Sequence, residues 1–325
     1  MKQRWLISAY WVAFAVACLS ACSKSGPNPV EQTATESAAG GAQTSFATPE
    51  EAATALVAAL EKNDVRALKE LLGPGTESLL SSGDPVEDKN EREAFLARYR
   101  VHHELVAGSA SELVLLVGED LWPLPMPIVR RNERWSFDGA AGADELVLRR
   151  IGANELNAID VMEGAVAAQS DYAAIAHDGQ PSGIYAQKLR SSPGTQDGLY
   201  WDVVAGQAPS PAGPLLAAAS ADGYVNAGSQ GARAPYHGYF YRMLTAQGAE
   251  APGGAKSYLS DGRLTGGFAL LAYPATYGAS GIMSFIVNQD GVVWQRDLGK
   301  DTEQVAAAIR EFNPDNSWTP LEPDG

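Results

Sequence analysis

The feature that most constrains the fold is a long apolar pattern with helical spacing over residues 144–175. Asp144 precedes this pattern in the position of a helix cap. The apolar face that follows comprises Leu148, Ile151, Ile159, Met162 and Val166, broadened by Val161, Ala165, Ala168, Tyr172 and Ile175. Apolar side chains that recur every three or four residues predict a helix that buries one face. A face this wide indicates packing into a core rather than a cofactor-binding helix.

Three shorter helices are predicted before the long one. Thr48-Pro49-Glu50-Glu51 supplies a threonine cap, a proline in the first turn and a glutamate at the third position. Asp64 is in the position of an N-cap and predicts a second helix that ends at Gly73. The segment Asn90-Glu91-Arg92-Glu93 repeats the pattern of a cap followed by glutamate, and it predicts a third helix near this position.

Strand-like runs lie on both sides of the long helix. They cover residues 112–117, 126–131 and 134–137 before it, and 238–244, 266–273, 281–288 and 292–297 after it. Asn132-Glu133 and Gln289-Asp290-Gly291 separate neighbouring runs with residues that favour tight turns. Both groups of runs therefore predict antiparallel hairpins.

Together these elements predict an α+β fold, with N-terminal helices plus a small antiparallel sheet, then a long helix packed on an antiparallel meander. We place a small α+β domain at residues 48–142 and a second domain at residues 143–325, with the boundary at the glycine-rich residues 139–142. The order of elements in the first domain resembles the nuclear-transport-factor-two-like cone.

Residues 1–21 have the pattern of an export signal. Lys2 and Arg4 precede an uncharged apolar run that is shorter than the ~20 residues of a membrane-spanning helix. Leu19-Ser20-Ala21-Cys22 resembles the lipobox of bacterial lipoproteins, which implies that Cys22 carries lipid and becomes the mature N-terminus. The alternative is an ordinary signal peptide or anchor in which Cys22 is incidental. The resemblance implies a lipid-anchored protein of the bacterial cell envelope that faces the periplasm, and Ser23 favours the outer membrane.

Residues 22–47 are predicted to form a disordered tether behind this cysteine, because they are mainly small and polar without apolar periodicity. Removal of residues 1–21 takes away two basic residues and no acid, so the net charge of −15 becomes −17. Such an acidic chain repels phosphate backbones, which excludes nucleic acid as an expected partner. Cys18 leaves with the signal and Cys22 is lipidated, so no thiol remains for a disulfide.

Six segments of the chain, distributed from the first predicted domain to the C-terminal strands, resemble the bacterial family known as domain of unknown function 2950. The segments are residues 137–139, 149–155, 198–201, 209–215, 236–241 and 285–292, and the resemblance extends from about Thr48 to the C-terminus. It implies an exported or lipid-anchored protein, and the family offers no established catalytic residues to transfer.

A second resemblance covers residues 274–292, which are similar to the closing hairpin of pilin and pseudopilin soluble domains. The long preceding helix fits the same fold. The chain departs from pilins at its lipobox and in its internal helix, which is interrupted by Asn154, Glu155, Asp160 and Glu163. A pilin assembles through a continuous apolar N-terminal helix, so the resemblance implies a pilin-like fold rather than filament assembly.

The sequence contains no recognisable catalytic, cofactor or metal motif. Its histidines lack paired metal-ligand spacing, and His102-His103-Glu104 is interpreted as a solvated helix end. Gly278-Ala279-Ser280-Gly281-Ile282 lacks the second glycine of a hydrolase elbow. Neither a phosphate loop nor a dinucleotide fingerprint occurs. We therefore predict no cofactor, no metal and no assigned catalytic residue.

The candidate ligand-binding residues are aromatic. They are Tyr200, Trp201, Tyr236, His237, Tyr239 and Tyr241. Tyr239 and Tyr241 share one strand face, where their hydroxyls allow them to line either a core margin or a groove for sugars or peptides. His237 has the chemistry of an acid or base. Core packing and a ligand groove both remain open.

Three functional hypotheses follow. The first is a non-catalytic, membrane-tethered envelope lipoprotein that binds a protein or a cell-wall component such as peptidoglycan. The second is a periplasmic enzyme with a site around His237 and the neighbouring tyrosines. The third, which rests on the pilin-like hairpin, is an accessory to a pilus or secretion apparatus.

Overall fold

Along the chain, helices and antiparallel sheets both precede and follow one long helix. A computed structural model describes residues 43–203, 209–213 and 234–321. Its helices are α1 Pro49–Glu61, α2 Val65–Leu72, α3 Glu77–Leu80, α4 Pro85–Val101, α5 Gly139–Ala174 and α6 Thr302–Ala308. The predicted α+β class is confirmed. The predicted signal peptide, Cys22 and the tether up to residue 42 lie outside the described residues.

The first sheet follows the four N-terminal helices. Its strands are β1 His103–Ser109, β2 Glu112–Val117, β3 Trp122–Pro123, β4 Ile128–Arg131 and β5 Arg134–Phe137. They are all antiparallel, in the order β1-β2-β4-β5 with β3 beside β2. Leu115, Ile128 and Phe137 point from this sheet into a core shared with Leu56 and Leu68 of the helices.

The described residues after α5 contain eleven strands, which are β6 Lys188–Arg190, β7 Gly198–Tyr200, β8 Tyr239–Leu244, β9 Ala246–Gln247, β10 Lys256–Ser257, β11 Leu259–Ser260, β12 Arg263–Leu264, β13 Ala269–Pro274, β14 Met283–Asn288, β15 Trp294–Asp297 and β16 Thr319–Pro320. Five of them form the second sheet, in the order β16-β15-β14-β13-β8. Met162 of α5 packs with Phe285 on one face of this sheet, while Ala306 of α6 packs with Ile286 on the other.

Gln43, the first described residue, already contacts the folded domain, although the sequence places the start of order at residue 48. The Gln43 side chain donates hydrogen bonds to the carbonyls of Leu71, at 3.0 Å, and Phe137, at 2.7 Å. Phe46 pairs with Trp135 through two backbone hydrogen bonds of 2.7 and 2.9 Å. Residues 43–47, which the sequence placed in the tether, therefore continue the edge of the first sheet.

The observed first residues of the helices can be compared with the caps that the sequence predicts. Thr48 and Asp64 cap α1 and α2 with hydrogen bonds of 3.2 and 3.0 Å, as predicted. The predicted start at Asn90 is wrong, because α4 begins at Pro85 behind the buried cap Asp84. The interpretation of His103 as part of a helix end is also wrong: it begins β1 and stacks on Tyr99 with ring centroids 3.8 Å apart.

The long helix begins earlier than its sequence pattern indicates. It starts at Gly139, so Asp144 is not its cap, and the predicted boundary residues 139–142 form its first turn. The helix then continues without interruption to Ala174 and contributes side chains to both the first sheet's core and the second. Among the helices of the described residues, none combines the length and the hydropathy that a membrane crossing requires.

Candidate functional site

The best candidate site is an apolar pocket in the N-terminal half of the described chain. It has a volume of about 400 Å³ and lies between α1, α2, α4, the first turns of α5 and the first sheet. Its apolar lining comprises Leu56, Leu60, Leu68, Leu72, Leu79, Leu80, Ala94, Phe95, Trp122, Leu124, Met126, Leu146 and Ala153. Ligand pockets in proteins typically have volumes of about 300–1,000 Å³ and a mainly apolar lining with a few polar groups. This pocket meets both conditions.

Two glycines let α5 approach closely enough to close one side of the pocket. A Cβ on Gly139 would lie 2.2 Å from the Leu72 carbonyl oxygen, and one on Gly142 would lie 2.4 Å from the Pro125 carbonyl. Any other residue at these positions would push the helix away from α2 and from the chain leading into β4. The close approach brings Leu146 and Arg150 of the next turns to the pocket wall.

A partly buried ion pair lies at the pocket wall, with the Glu91 side chain 37% exposed. The Arg150 side chain is 4% exposed, and its Nε donates to both carboxylate oxygens of Glu91, at 3.1 and 3.0 Å. Its two terminal nitrogens donate to the Ser78 and Leu79 carbonyls at 2.9 and 2.7 Å. Arg150 thereby joins α5, α4 and α3 around the pocket.

The environment of Glu91 is unfavourable to its charge. Burial raises the pKa of this carboxyl above its ordinary value, and the charge and hydrogen bond of Arg150 act in the opposite direction. A carboxyl group with a raised pKa beside an apolar cavity is typical of functional sites as well as of structural ion pairs. Arg150 therefore holds the Glu91 carboxylate in a fixed position beside the apolar lining of the pocket.

Three further arginines line the pocket. Arg149 lies over the Trp122 ring, 5.3 Å from its centroid, and is paired with Glu145. Arg98 is paired with Asp120 at 3.0 Å. Arg92 is held by neutral oxygens, donating to Asn63 Oδ1 and to the Leu80 carbonyl, both at 2.7 Å. The pocket therefore combines cationic groups with a mainly apolar lining.

The predicted aromatic residues fall into two separate clusters. Trp201 and Tyr200 pack with Tyr172, and Trp201 makes an edge contact with His177 at 5.4 Å between ring centroids. A cavity of about 270 Å³ beside this cluster is lined by Tyr172 and His177 together with polar side chains. Tyr200 and Trp201 do not line that cavity.

Tyr239 and Tyr241 lie in the other cluster, where they pack against the α5 face of the second sheet. Tyr239 is fully buried, and its hydroxyl donates to the Met283 carbonyl at 2.9 Å. Burial raises the pKa of both tyrosines well above the ordinary value. Tyr236 and His237 precede this strand, and their rings lie 4.2 Å apart.

His237 contacts the N-terminal half of the chain. Its Nδ1 lies 3.2 Å from Glu87 Oε2 of α4, and each side chain is 17% exposed. It does not line any of three cavities in the described part of the chain, namely the apolar pocket, the cavity beside His177 and a further cavity of about 460 Å³ next to α4. The histidine and the apolar pocket therefore belong to different surfaces of α4.

Asp197, which lines the cavity beside His177, is held by several donors. Burial acts to raise the pKa of this carboxyl, but hydrogen bonds from Lys188, Ser192 and Thr195 outweigh it, and the pKa is lowered well below its ordinary value. The Lys188 ammonium lies 2.5 Å from the Asp197 carboxylate. Within the described part of the chain, no group of three His, Cys, Asp or Glu side chains is arranged to hold a metal ion.

Comparison with known proteins gives one match. The model of the family described as "Protein of unknown function (DUF2950)" matches residues 43–321. No curated protein and no solved structure matches the chain. The matched range begins at the first described residue and ends at the last one.

Proposed function

The chain belongs to the DUF2950 family, whose function is unknown, and from this premise we propose that it is a non-catalytic, membrane-tethered binding protein of the bacterial envelope. The pocket between α1, α2, α4 and α5 is its binding site. The ligand is a component of the envelope with an apolar portion that enters the pocket. Its source, whether a cell-wall constituent, a membrane constituent or a segment of another envelope protein, determines the biological role.

The observation that carries this proposal is the size and lining of the apolar pocket. An engineered apolar cavity of about 150 Å³ stays dry and binds a benzene molecule. The pocket here has a volume of about 400 Å³ and is lined by leucines, Phe95, Trp122 and Met126. Filling such a space with the apolar part of a ligand removes hydrocarbon surface from water, which contributes about 25 cal/mol per Å².

The tether is proposed from the sequence. Its support is the lipobox-like Leu19-Ser20-Ala21-Cys22 and the small, polar residues that follow it. A lipid on Cys22 would hold the binding domain near the membrane, while the linking residues let it reach ligands at a distance from the lipid surface. Cys22→Ala should then release the protein from the membrane fraction, and unchanged attachment would contradict the lipid anchor.

A second candidate function is favoured by the pairing of His237 with Glu87. A histidine oriented by a carboxylate is a common general acid or base, and this pair is only partly exposed. If the protein is an enzyme, turnover of peptidoglycan fragments or ester substrates should disappear in His237→Ala. Equal turnover in that variant, or none in the parent protein, would remove this candidate.

The binding proposal is tested with an uncharged fluorescent ligand. N-phenylnaphthylamine is titrated into the full chain carrying Cys22→Ala, and its fluorescence should rise as it enters the pocket. Ala94→Trp places a large ring at an exposed position of the pocket mouth and should abolish the rise. Ala97→Trp is the matched control, because Ala97 is exposed on the same helix but does not line the pocket. Equal fluorescence in all three proteins would contradict the proposed site.

A further inference from the structure

We infer that the natural ligand of this pocket is a single-chain amphiphile with a carboxylate head group, and that Arg92 binds the carboxylate. The inference rests on the proposed binding function and names the ligand class of the same site. It is carried by the charges around the pocket rather than by its volume alone.

The pocket lining is cationic although the whole chain is acidic. Four arginines line the pocket, namely Arg92, Arg98, Arg149 and Arg150, against two acids, Asp88 and Glu91. The net charge of the chain is −15. Asp120 and Glu145, which pair with two of these arginines, bring the number of acids to four. The pocket therefore lacks the negative excess of the rest of the chain, and an arginine without an acidic partner gives it a preference for an anionic ligand.

Arg92 differs from the other three in its partners. Arg98, Arg149 and Arg150 are paired with Asp120, Glu145 and Glu91. Among the described residues, Arg92 pairs with no carboxylate, and its guanidinium donates only to the neutral oxygens of Asn63 and Leu80. A guanidinium has five N–H donors, so donors remain for a ligand.

The acids that line the pocket have other partners. Both oxygens of Asp88 accept from the Ser82 backbone N–H, at 3.0 and 3.2 Å, and both oxygens of Glu91 accept from Arg150. Asn63 and Leu80 meanwhile hold the Arg92 guanidinium in a fixed orientation. A preorganised guanidinium binds a carboxylate with two parallel, charge-assisted hydrogen bonds.

The volume of the pocket sets the length of the apolar chain. If about 150 Å³ holds the six carbons of benzene, about 400 Å³ holds on the order of sixteen carbons when filled completely. A saturated chain of about twelve carbons therefore fits, because a ligand does not fill the whole volume of a pocket. Dodecanoate is a suitable test ligand.

The experiment compares dodecanoate with dodecanol and dodecylammonium, each below its micelle concentration, by displacement of N-phenylnaphthylamine from the full chain carrying Cys22→Ala. Dodecanoate should bind at least about tenfold more tightly than dodecanol, because a hydrogen bond to a charged group is stronger than one to a neutral group. Dodecylammonium should bind more weakly than dodecanol.

Variants assign the preference to Arg92. Arg92→Gln should remove the preference, so that dodecanoate binds no more tightly than dodecanol when both are measured in this variant, while Arg92→Lys should restore part of the preference. Arg100→Gln is the control and should keep the preference within about twofold, since Arg100 lies on the same helix, pairs with Glu61 at 2.8 Å and does not line the pocket.

Each outcome separates the two proposals. Dodecanol binding without any preference for dodecanoate, or a preference that survives Arg92→Gln, would overturn the carboxylate inference and leave the binding function intact. Failure of all three ligands and of the dye would overturn the binding function itself.

Discussion

The backbone N–H of Gly238 donates a 2.9 Å hydrogen bond to Asp84 Oδ2, connecting residues that are 154 positions apart. The other oxygen of Asp84 caps α4 by accepting from the N–H groups of Val86, at 3.1 Å, and Glu87, at 3.2 Å. Gly238 has a φ of 71°, and a Cβ there would lie 2.5 Å from Asn154 Nδ2. One buried carboxylate therefore starts the helix that lines the pocket and links it to the second sheet.

Asp84→Ala should lower the free energy of unfolding by about 3 kcal/mol. Loss of a helix cap costs about 1 kcal/mol, and a buried N–H left without a partner at Gly238 costs a further 1–3 kcal/mol. Urea denaturation of the full chain measures the change. Asp64→Ala is the matched control, because Asp64 caps α2 through an exposed hydrogen bond and should cost only about 1 kcal/mol. Equal losses would contradict the linking role of Asp84.

Arg150→Ala should be destabilising by about 3 kcal/mol, because it leaves two carbonyl groups without their buried donor and leaves Glu91, whose side chain is 37% exposed, without its partner. Arg149→Ala, one residue earlier, removes a side chain that is 45% exposed and should cost less than about 1 kcal/mol. Chemical denaturation compares the two. The double variant Arg150→Met with Glu91→Leu should recover much of the loss, since it removes both charges. A cost for Arg150→Ala as small as that for Arg149→Ala would show that the pair is not buried in solution.

Two glycines of α5 should respond in opposite directions to substitution by alanine. Gly142→Ala places a Cβ 2.4 Å from the Pro125 carbonyl, where the backbone must shift, and should cost about 1–3 kcal/mol. Gly152 has open space around its Cβ position, so Gly152→Ala should stabilise the helix by about 0.5–1 kcal/mol. Thermal unfolding of both variants tests how closely the start of α5 packs against Pro125. A stabilising Gly142→Ala would mean that the start of α5 lies farther from β4.

The lowered pKa of Asp197 predicts a dependence of stability on pH. A carboxyl whose pKa is lower in the folded chain than in the unfolded chain stabilises the fold above its unfolded pKa, and this contribution is lost as the pH falls through the folded pKa. Asp197→Asn should cost about 1 kcal/mol at neutral pH after discounting for solvent screening. The difference from the parent protein should stay constant above about pH 5 and shrink progressively as the pH falls below about 5.

The control for this titration is Asp202→Asn, because the Asp202 side chain is 80% exposed and contacts Arg190 at 3.3 Å. Its effect should be small at every pH. A constant difference between Asp197→Asn and the parent protein over the whole range would contradict the hydrogen-bonded, charged state of Asp197.

The sequence patterns predicted the elements whose signals are local. The caps Thr48 and Asp64, the strand Arg134–Phe137 and the turn at Asn132-Glu133 depend on neighbouring residues, and the structure agrees with all four. The start of α4 was missed because Asp84 and Asn90 both have the local pattern of a cap. The long-range hydrogen bond from Gly238 contributes to the choice between them, and no local pattern contains it.

The pocket was missed for a related reason. Its lining is spread from Leu56 to Ala153, and each leucine is indistinguishable from a core residue in a helical pattern. The one available signal was the arginines Arg92, Arg98, Arg149 and Arg150, which recur on predicted helices of an acidic chain. The sequence instead indicated the aromatic residues as candidates for ligand binding, whereas Tyr239 and Tyr241 pack into the core between α5 and the second sheet. Burial on a strand face cannot be told from a groove by spacing alone.

The most direct test of the binding site is a methyl NMR titration of the leucine-labelled full chain carrying Cys22→Ala with dodecanoate. The pocket hypothesis predicts shifts and ligand contacts for Leu56, Leu68, Leu72 and Leu124, which line the pocket, and unchanged signals for Leu270 and Leu271 in the second sheet. Shifts confined to the second sheet, or no shifts at saturating ligand, would contradict the binding site proposed here.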